Sequence, residues 1–186
     1  MECLDVTGAL ADTLERSFVR KYRLGHDANG DLYLLRHPNG LLVVGLAPSH
    51  PLLQPGAPNV LSASFTDNVS SSEVHGKRKR GGVKLGVKTS VLKLTFDGGE
   101  LLIPAGAEGK LIEMNERLLQ EPHLLQQEPQ GEGFIVIVQP LAEQANRWSK
   151  GLLDSDEALA TERGSAAKCV CRPWPRIAPG ITSSEG

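Results

Sequence analysis

This sequence of 186 residues predicts a mainly β fold with short helices and a C-terminal helical tail. Twenty glycines and 12 prolines, with only 4% aromatic residues, favour many turns that join short strands. Residues 83–91 alternate apolar and polar side chains, which is the period-2 pattern of a half-exposed strand. Two turn motifs, His37-Pro-Asn-Gly40 and Asp97-Gly-Gly99, lie between apolar runs and predict hairpins.

The composition limits the class of protein and the compartment. Hydrophobic residues make up 40% and charged residues 23%, as in a soluble globular domain, and the formal net charge is −2. No apolar run approaches the roughly 18 residues that a membrane span needs, so no membrane contact is expected. Residues 1–12 carry acids and lack a basic signal-peptide start. Three cysteines are too few for a disulfide framework, so we expect a cytosolic or nuclear protein.

The first half of the chain predicts three strands and one short helix. Residues 1–15 are expected to be a flexible leader, and the β domain is expected to span residues 16–140. Strands are predicted at 31–36, 40–46 and 60–64. Ser49 lies two positions before a proline, which predicts that it caps a short helix.

The second half predicts a hairpin followed by a strand, a helix and a final strand. Apolar segments at 92–96 and 100–103 flank the Asp97 turn. A strand at 110–114 runs into Asn115, which is predicted to cap a one-turn helix. Four leucines nearby are expected to cover the sheet as core residues: Leu118, Leu119, Leu124 and Leu125. A last strand is predicted at 134–138.

The composition changes after Pro140. Residues 141–163 are predicted to form a linker and an amphipathic helix at 152–162, opened by Asp154 or Ser155. This helix is expected to dock on the β domain, with binding to a partner groove as the alternative. Residues 164–186 are rich in small residues and proline and are predicted to be disordered.

The order of elements in residues 109–138 resembles the second half of a biotinyl/lipoyl-type domain, particularly that of the glycine cleavage H protein. A faint repeat, Gly40-Leu-Leu-Val-Val against Gly109-Lys-Leu-Ile-Glu, is consistent with a sandwich of two similar halves. The resemblance implies a lipoyl-domain-like fold, also called a barrel-sandwich hybrid.

Several motifs, taken together and in this order, resemble the Abitram (actin-binding transcription modulator) family. The similarity extends over about residues 16–163, and the motifs are Phe18-Val-Arg-Lys-Tyr22, Gly45-Leu-Ala-Pro-Ser-His-Pro-Leu-Leu-Gln54, Gly76-Lys-Arg-Lys-Arg-Gly81, Glu113-Met-Asn-Glu116 and Gly133-Phe-Ile-Val-Ile-Val-Gln-Pro140. The resemblance implies binding to monomeric and filamentous actin, with effects on actin polymerisation and cell protrusions. It also implies residence in nuclear speckles, in the cytoplasm and in actin-rich projections, with possible nuclear protein partners.

A lipoyl- or biotin-type carrier is the main alternative function, and it requires a lysine at the tip of a hairpin. Counting back from Gly109 by the spacing typical of H-protein-like sequences leads to Gly98. No lysine lies between Lys93 and Lys110, and both of these are in segments predicted to be strands. The sequence therefore predicts the carrier scaffold without the lysine that carries the arm. An adaptor without actin contact is the third alternative.

The densest charge cluster predicts a partner-binding surface. It comprises Lys77, Arg78, Lys79, Arg80, Lys84 and Lys88. A basic strip of this kind steers association with an acidic protein such as actin. A solvated loop and a nuclear-localisation signal are the other interpretations. Nucleic acid is not expected as a partner, because no aromatic residue lies near the cluster to stack on bases.

No catalytic, metal or cofactor site is predicted. Cys169 and Cys171 form an isolated Cys-x-Cys pair without a second pair to complete a metal site. His50 and His123 each adjoin a proline and a Leu-Leu pair, which favours capping or packing at helix ends. The serines at 70–72 lack a nucleophile-elbow motif.

Overall fold

Two antiparallel β-sheets form the framework of the computed structural model, which describes residues 18–25, 31–70, 83–141, 148–155, 158 and 161. The strands of the described residues are β1 Val19–Arg23, β2 Leu32–Arg36, β3 Leu42–Leu46, β4 Val60–Phe65, β5 Lys84–Leu85, β6 Ser90–Phe96, β7 Gly99–Pro104, β8 Gly109–Met114 and β9 Val136–Pro140. The first sheet has six strands in the order β1-β2-β3-β9-β8-β5, and the second has three in the order β4-β6-β7. The helices are α1 Asp67–Ser70, α2 Arg117–Gln120, α3 Leu124–Gln127 and a 3₁₀ turn at Pro51–Leu53. The predicted mainly β class with short helices is confirmed.

One hydrophobic core joins the two sheets. Strands β2 to β9 each contribute residues that point into it and are almost fully shielded from solvent, including Leu32, Leu34, Val44, Leu92, Leu94, Ile103 and Val138. Burial of each such side chain contributes about 1.5–3 kcal/mol relative to exposure. The period-2 alternation of the sequence therefore determines which face of each sheet is internal.

The outer face of β1–β3 carries a second, smaller apolar cluster. It is built on Tyr22, Tyr33 and Ala47. A Cβ atom on Gly45 would lie 2.5 Å from the Tyr33 ring, so glycine is required for the ring to lie flat on β3. The Tyr33 hydroxyl donates to the carbonyl of Pro129 at 2.9 Å, and burial raises the pKa of this phenol. This contact ties the first half of the chain to the loop before β9.

The short helix after β3 has a different cap from the one predicted. His50, rather than Ser49, is the N-cap, and its Nδ1 accepts a hydrogen bond from the Leu52 amide at 3.1 Å. Ser49 instead donates to the buried carboxylate of Asp31 at 2.7 Å. Proline at the first helical position favours the turn, as expected. The prediction that His50 acts in capping is confirmed.

The predicted strand at 83–91 is wrong as a single element. The chain forms β5, turns at residues 86–89, and begins β6 at Ser90. The Gly86 amide donates to the Thr89 hydroxyl, and the Thr89 amide donates back to the Gly86 carbonyl, both at 3.0 Å. Alternation continues through this local turn, so the sequence pattern does not reveal the break.

Asn115 does not cap α2 with its side chain, which corrects the prediction. Glu116 occupies the N-cap position, and no side-chain cap bond forms there. The Asn115 amide group is buried and donates to the carbonyls of Glu132 at 2.6 Å and Phe134 at 2.8 Å. Asn115 therefore fastens the loop before β9. Residues 134 and 135 belong to this loop, so β9 begins at Val136 rather than at residue 134 as predicted.

Two one-turn helices, rather than the single predicted one, cover the sheets at this end. Leu118, Leu124 and Leu125 are buried as predicted, whereas Leu119 is 48% exposed and the prediction for it is wrong. The side chain of Gln126 accepts from the Val60 amide and donates to the carbonyls of Leu52 and Pro58. His123 stands at the N-cap position of α3 but is exposed and forms no side-chain cap bond.

The segment at 148–155 crosses the outer edge of β1. Leu152 enters the main core, and Leu153 exchanges two backbone hydrogen bonds with Tyr22, each 2.8 Å long. Asp154 forms an ion pair with Lys21. Leu152 and Leu153 are therefore not helical, which corrects the predicted start, although Ala158 and Thr161 have helical backbone. Much of the predicted tail helix, the leader and the tail beyond residue 163 lie outside the described residues.

Candidate functional site

The hairpin tip between β6 and β7 is the position at which the resemblance to carrier domains leads us to expect a lysine. Here the tip is Asp97 and Gly98, both exposed, and Gly98 has φ +101°. Nothing lies within 4 Å of a Cβ built on Gly98, so the position is open to solvent. The structure thus places Gly98 at the tip, as the sequence spacing indicated.

The two lysines nearest to the tip in sequence both lie within strands. Lys93 is in β6, and its ammonium group contacts a Glu100 carboxylate oxygen at 2.8 Å on the neighbouring strand β7. Lys110 is in β8, the strand next to the edge strand β5 of the six-stranded sheet. Neither lysine is at the end of a hairpin, where an attached arm could swing freely.

A second feature, which we call the basic edge, consists of Lys84, Lys88 and Lys110. Lys84 lies in β5, the outermost strand of the six-stranded sheet, and is exposed. Lys110 lies directly opposite Lys84 in the antiparallel register. Lys88 is exposed in the turn that follows β5. Pairing of β5 with β8 therefore adds a third lysine to two that are close in sequence.

The strand residues directly opposite Lys84 and Lys110 include no acid. The residue opposite Lys110 on its other side is Gln139 of β9, so this row of the sheet is Lys84, Lys110 and Gln139 without an acid. Within the described ranges, no ion pair involves any lysine of the basic edge, in contrast to Lys93. Like charges directly opposite each other destabilise a strand pair. Such an arrangement favours an acidic partner, which would relieve the repulsion.

Sequence reasoning identified Lys84 and Lys88 as part of a partner-binding surface but missed Lys110. Lys77, Arg78, Lys79 and Arg80 lie outside the described residues, so their part of that prediction stays a prediction. Lys110 could be found only from the register of β5 against β8, because 23 residues lie between the end of β5 and the start of β8 (109 − 85 − 1 = 23).

The remaining candidate groups give no further site. Among the described residues, no three His, Cys, Asp or Glu side chains lie close enough together to hold a metal ion. In that part of the chain no helix has the length and apolarity to cross a membrane. Cys169 and Cys171 lie outside the described residues.

The sequence is similar to two groups of known proteins, the glycine cleavage H-proteins and the Abitram proteins. Residues 98–163 match the family model described as glycine cleavage H-protein. Over 128 residues the chain is 36% identical to protein Abitram of Dictyostelium discoideum, covering 68% of this chain and 71% of that relative. Over 150 residues it is 37% identical to protein Abitram of Gallus gallus, covering 76% and 86% respectively.

The fold is similar to that of a glycine cleavage system H protein from Mycobacterium marinum. The TM-score is 0.54, with 16% sequence identity, and the superposition covers 78% of this chain and 97% of the other. At this identity the likeness concerns the fold alone. It confirms the predicted lipoyl-domain-like architecture for the β domain.

Proposed function

This chain belongs to the Abitram family, and we propose on that basis that it is a non-enzymatic protein that binds monomeric and filamentous actin. It regulates actin polymerisation and cell protrusions such as filopodia and dendrite branches. It also has a nuclear, transcription-related role and resides in nuclear speckles as well as the cytoplasm. Family membership supports the choice of partner, since the family takes its name from actin binding and transcription modulation.

The basic edge is the observation that carries the proposal. Among the described residues, its three lysines form no ion pair, and Lys84 lies directly opposite Lys110 in the β5–β8 register. Only three residues separate Arg80 from Lys84, so the basic cluster at 77–80 is covalently tied to this edge. A surface of one sign attracts a protein of the opposite sign and accelerates encounter. Actin presents such acidic surfaces.

Co-sedimentation with actin filaments tests the proposal. At low salt the purified full-length chain is expected to pellet with filaments and to bind monomeric actin, and both interactions should weaken as ionic strength rises. Replacing all four basic residues at 77–80 with glutamine should weaken them further. A chain that neither pellets with filaments nor binds monomers at low salt refutes the proposal.

A carrier function is the second candidate, because the fold and the match over residues 98–163 both favour it. Gly98 at the hairpin tip weighs against it, since glycine offers no amine for attachment. Intact-mass measurement of the protein from its native source separates the two. A lipoyl or biotinyl adduct would establish the carrier, and the unmodified mass would leave the binding protein.

An adaptor without actin contact differs from both. It would be distinguished by an unbiased pulldown that recovers other proteins while co-sedimentation with actin stays negative.

A further inference from the structure

A cleft with a volume of about 310 Å³ lies between the end of β1 and the segment that crosses it. Arg23, Lys150 and Glu108 supply its charged groups, and Trp148, Leu42 and Pro140 are among its other lining residues. This volume is at the small end of the range for ligand-binding pockets. The three lysines of the basic edge do not line the cleft, although Val87, the residue before Lys88, does.

Arg23 is the most informative residue of the cleft. It is partly buried, and its Nε donates to the carbonyl of Gly106. The two terminal NH₂ groups of the guanidinium have no acceptor among the described residues, and no ion pair there includes Arg23. Burial lowers the pKa of Arg23, and no neighbouring carboxylate contributes to the shift. Neither terminal NH₂ group is fully buried, so both donors are hydrated and open to an anion that enters the cleft.

The position of Arg23 is fixed by the fold rather than by a mobile loop. Arg23 pairs with Leu32 at the end of the β1–β2 ladder. Its acceptor, Gly106, has φ +65°, and a Cβ atom there would come within 2.6 Å of a Leu32 methyl group. The carbonyl that orients Arg23 is therefore held in place by packing against Leu32. Because Nε is bonded to Gly106, the two terminal NH₂ groups of the guanidinium remain available for a bidentate interaction with a carboxylate.

The other lining residues indicate the chemistry of the part of the ligand that would lie beside its carboxylate. Trp148 packs against the main core, and the Arg36 guanidinium carbon lies 5.6 Å from the centroid of its ring. Leu42 is buried and, with Pro140, provides apolar wall. A ligand that fits these surfaces has an apolar body next to its charged group.

The charge balance of the cleft distinguishes a carboxylate from a phosphate dianion. Arg23 and Lys150 contribute two positive charges and Glu108 one negative charge, giving a formal sum of +1 (2 − 1 = +1). A single negative charge neutralises this sum, whereas a dianion would leave an excess charge beside Glu108.

We propose that this cleft binds a monocarboxylate with an apolar body, held by the terminal NH₂ groups of Arg23 and assisted by Lys150. The carboxylate oxygens accept hydrogen bonds from the guanidinium, and the apolar part lies against Trp148 and Leu42. Free short-chain carboxylates and peptide carboxyl termini share this chemistry. Binding here does not depend on the proposed interaction with actin.

Titration of the full-length chain with hexanoate tests the site directly. The chain has two tryptophans, so Trp174→Phe leaves Trp148 as the single indole for two-dimensional NMR. Hexanoate is expected to shift the Trp148 indole signal in a saturable way. Hexan-1-ol, which lacks the charge, and acetate, which lacks the apolar chain, should each bind at least about tenfold more weakly. Equal binding of hexan-1-ol and hexanoate, or no saturable shift with hexanoate, would overturn the assignment.

Substitutions test whether Arg23 is the residue that binds the carboxylate. Arg23→Gln should weaken hexanoate binding about tenfold or more, whereas Arg20→Gln, on the same strand but outside the cleft lining, should leave it unchanged. Lys150→Gln, at an exposed position that does not endanger folding, should weaken binding severalfold. Unchanged affinity in both Arg23→Gln and Lys150→Gln would contradict the proposal, and the Lys150 variant decides the matter if Arg23→Gln does not fold.

A dipeptide pair separates the two sources of the carboxylate. N-acetyl-Leu-Leu with a free carboxylate is compared with its C-terminal amide and with hexanoate. Tighter binding of the acid than of hexanoate assigns the cleft to a peptide terminus, and tighter binding of hexanoate assigns it to a small carboxylate. The amide should bind at least about tenfold more weakly than the acid, and equal binding of the two contradicts carboxylate recognition.

Discussion

The hairpin tip and the basic edge differ in where they place lysine. The tip, Asp97 and Gly98, has the exposure that a carrier arm needs but no amine. The basic edge has lysines at Lys84 and Lys110 that lie opposite each other within a sheet, where no arm could swing. The same scaffold therefore lacks lysine at the position used for covalent attachment and has lysines at a position suited to noncovalent contact.

The two regions also differ in how the local structure affects a lysine side chain. At the tip, φ +101° is a conformation that glycine adopts readily and that other residues resist, so the turn itself disfavours lysine there. At the basic edge, two like charges in register oppose the strand pairing that holds β5 in place. Stability of the turn therefore explains Gly98, whereas it does not explain two lysines opposite each other in the sheet. Both are consistent with a binding surface on that fold.

The largest expected effect comes from reversing the charge of the basic edge. Lys84→Glu with Lys110→Glu should weaken filament binding by roughly tenfold or more, because two attractive contacts become repulsive. The free energy of unfolding should change by less than about 0.5 kcal/mol, since one like-charged pair replaces another. Co-sedimentation and denaturant unfolding measure the two quantities separately.

The matched control is Lys93→Glu with Arg117→Glu. Both double variants change the formal net charge from −2 to −6 (−2 − 4 = −6), but the control positions lie in ion pairs away from the basic edge. Filament binding by the control should stay within about twofold of the unmodified chain. Equal losses in both variants would mean that net charge, rather than the basic edge, governs binding.

The next effect concerns the hairpin tip. Gly98→Lys should lower the free energy of unfolding by about 1–2 kcal/mol, because a side chain is strained at this positive φ. Asp97→Lys, one residue earlier at an exposed position without positive φ, should change it by less than about 0.5 kcal/mol. Denaturant unfolding of both variants measures the difference. If lysine is tolerated equally at both positions, the turn places no restriction on the tip.

The smallest effect separates stability from binding at a single residue. Lys110→Glu places an acid opposite Lys84 and should raise the free energy of unfolding by about 0.5 kcal/mol. The same change should weaken actin binding severalfold. Lys110→Gln, which only removes the charge, should give an intermediate result for both. A destabilised Lys110→Glu chain would show that the two lysines do not repel each other in the folded protein.

Local sequence patterns predicted the elements whose geometry depends on a few neighbouring residues. The turns at Gly40 and Gly98 have positive φ, as the two hairpin motifs implied. The strands on either side of these turns follow the apolar runs, because residues of these runs are buried in the core. The family resemblance was likewise visible in ordered local motifs, and the match to Abitram proteins confirms it.

Polar residues with distant partners were predicted less well. Asn115 has the residue type and position of a helix cap, yet its amide group bonds to the carbonyls of Glu132 and Phe134. Ser49 was expected to cap a helix and instead bonds to Asp31. In both cases a contact across the fold competes with the local one, and the partner's position is absent from the local sequence.

The sequence by itself determined the mainly β fold, its hairpin turns and the absence of lysine from the tip, because these features depend on neighbouring residues and on their order. Only the tertiary structure decided that Lys110 stands beside Lys84 and that Arg23 lines a cleft with Trp148 and Lys150. These residues are far apart in sequence and are brought together by strand register and by the segment that crosses β1. Their charges become informative only once the neighbours that could neutralise them are known.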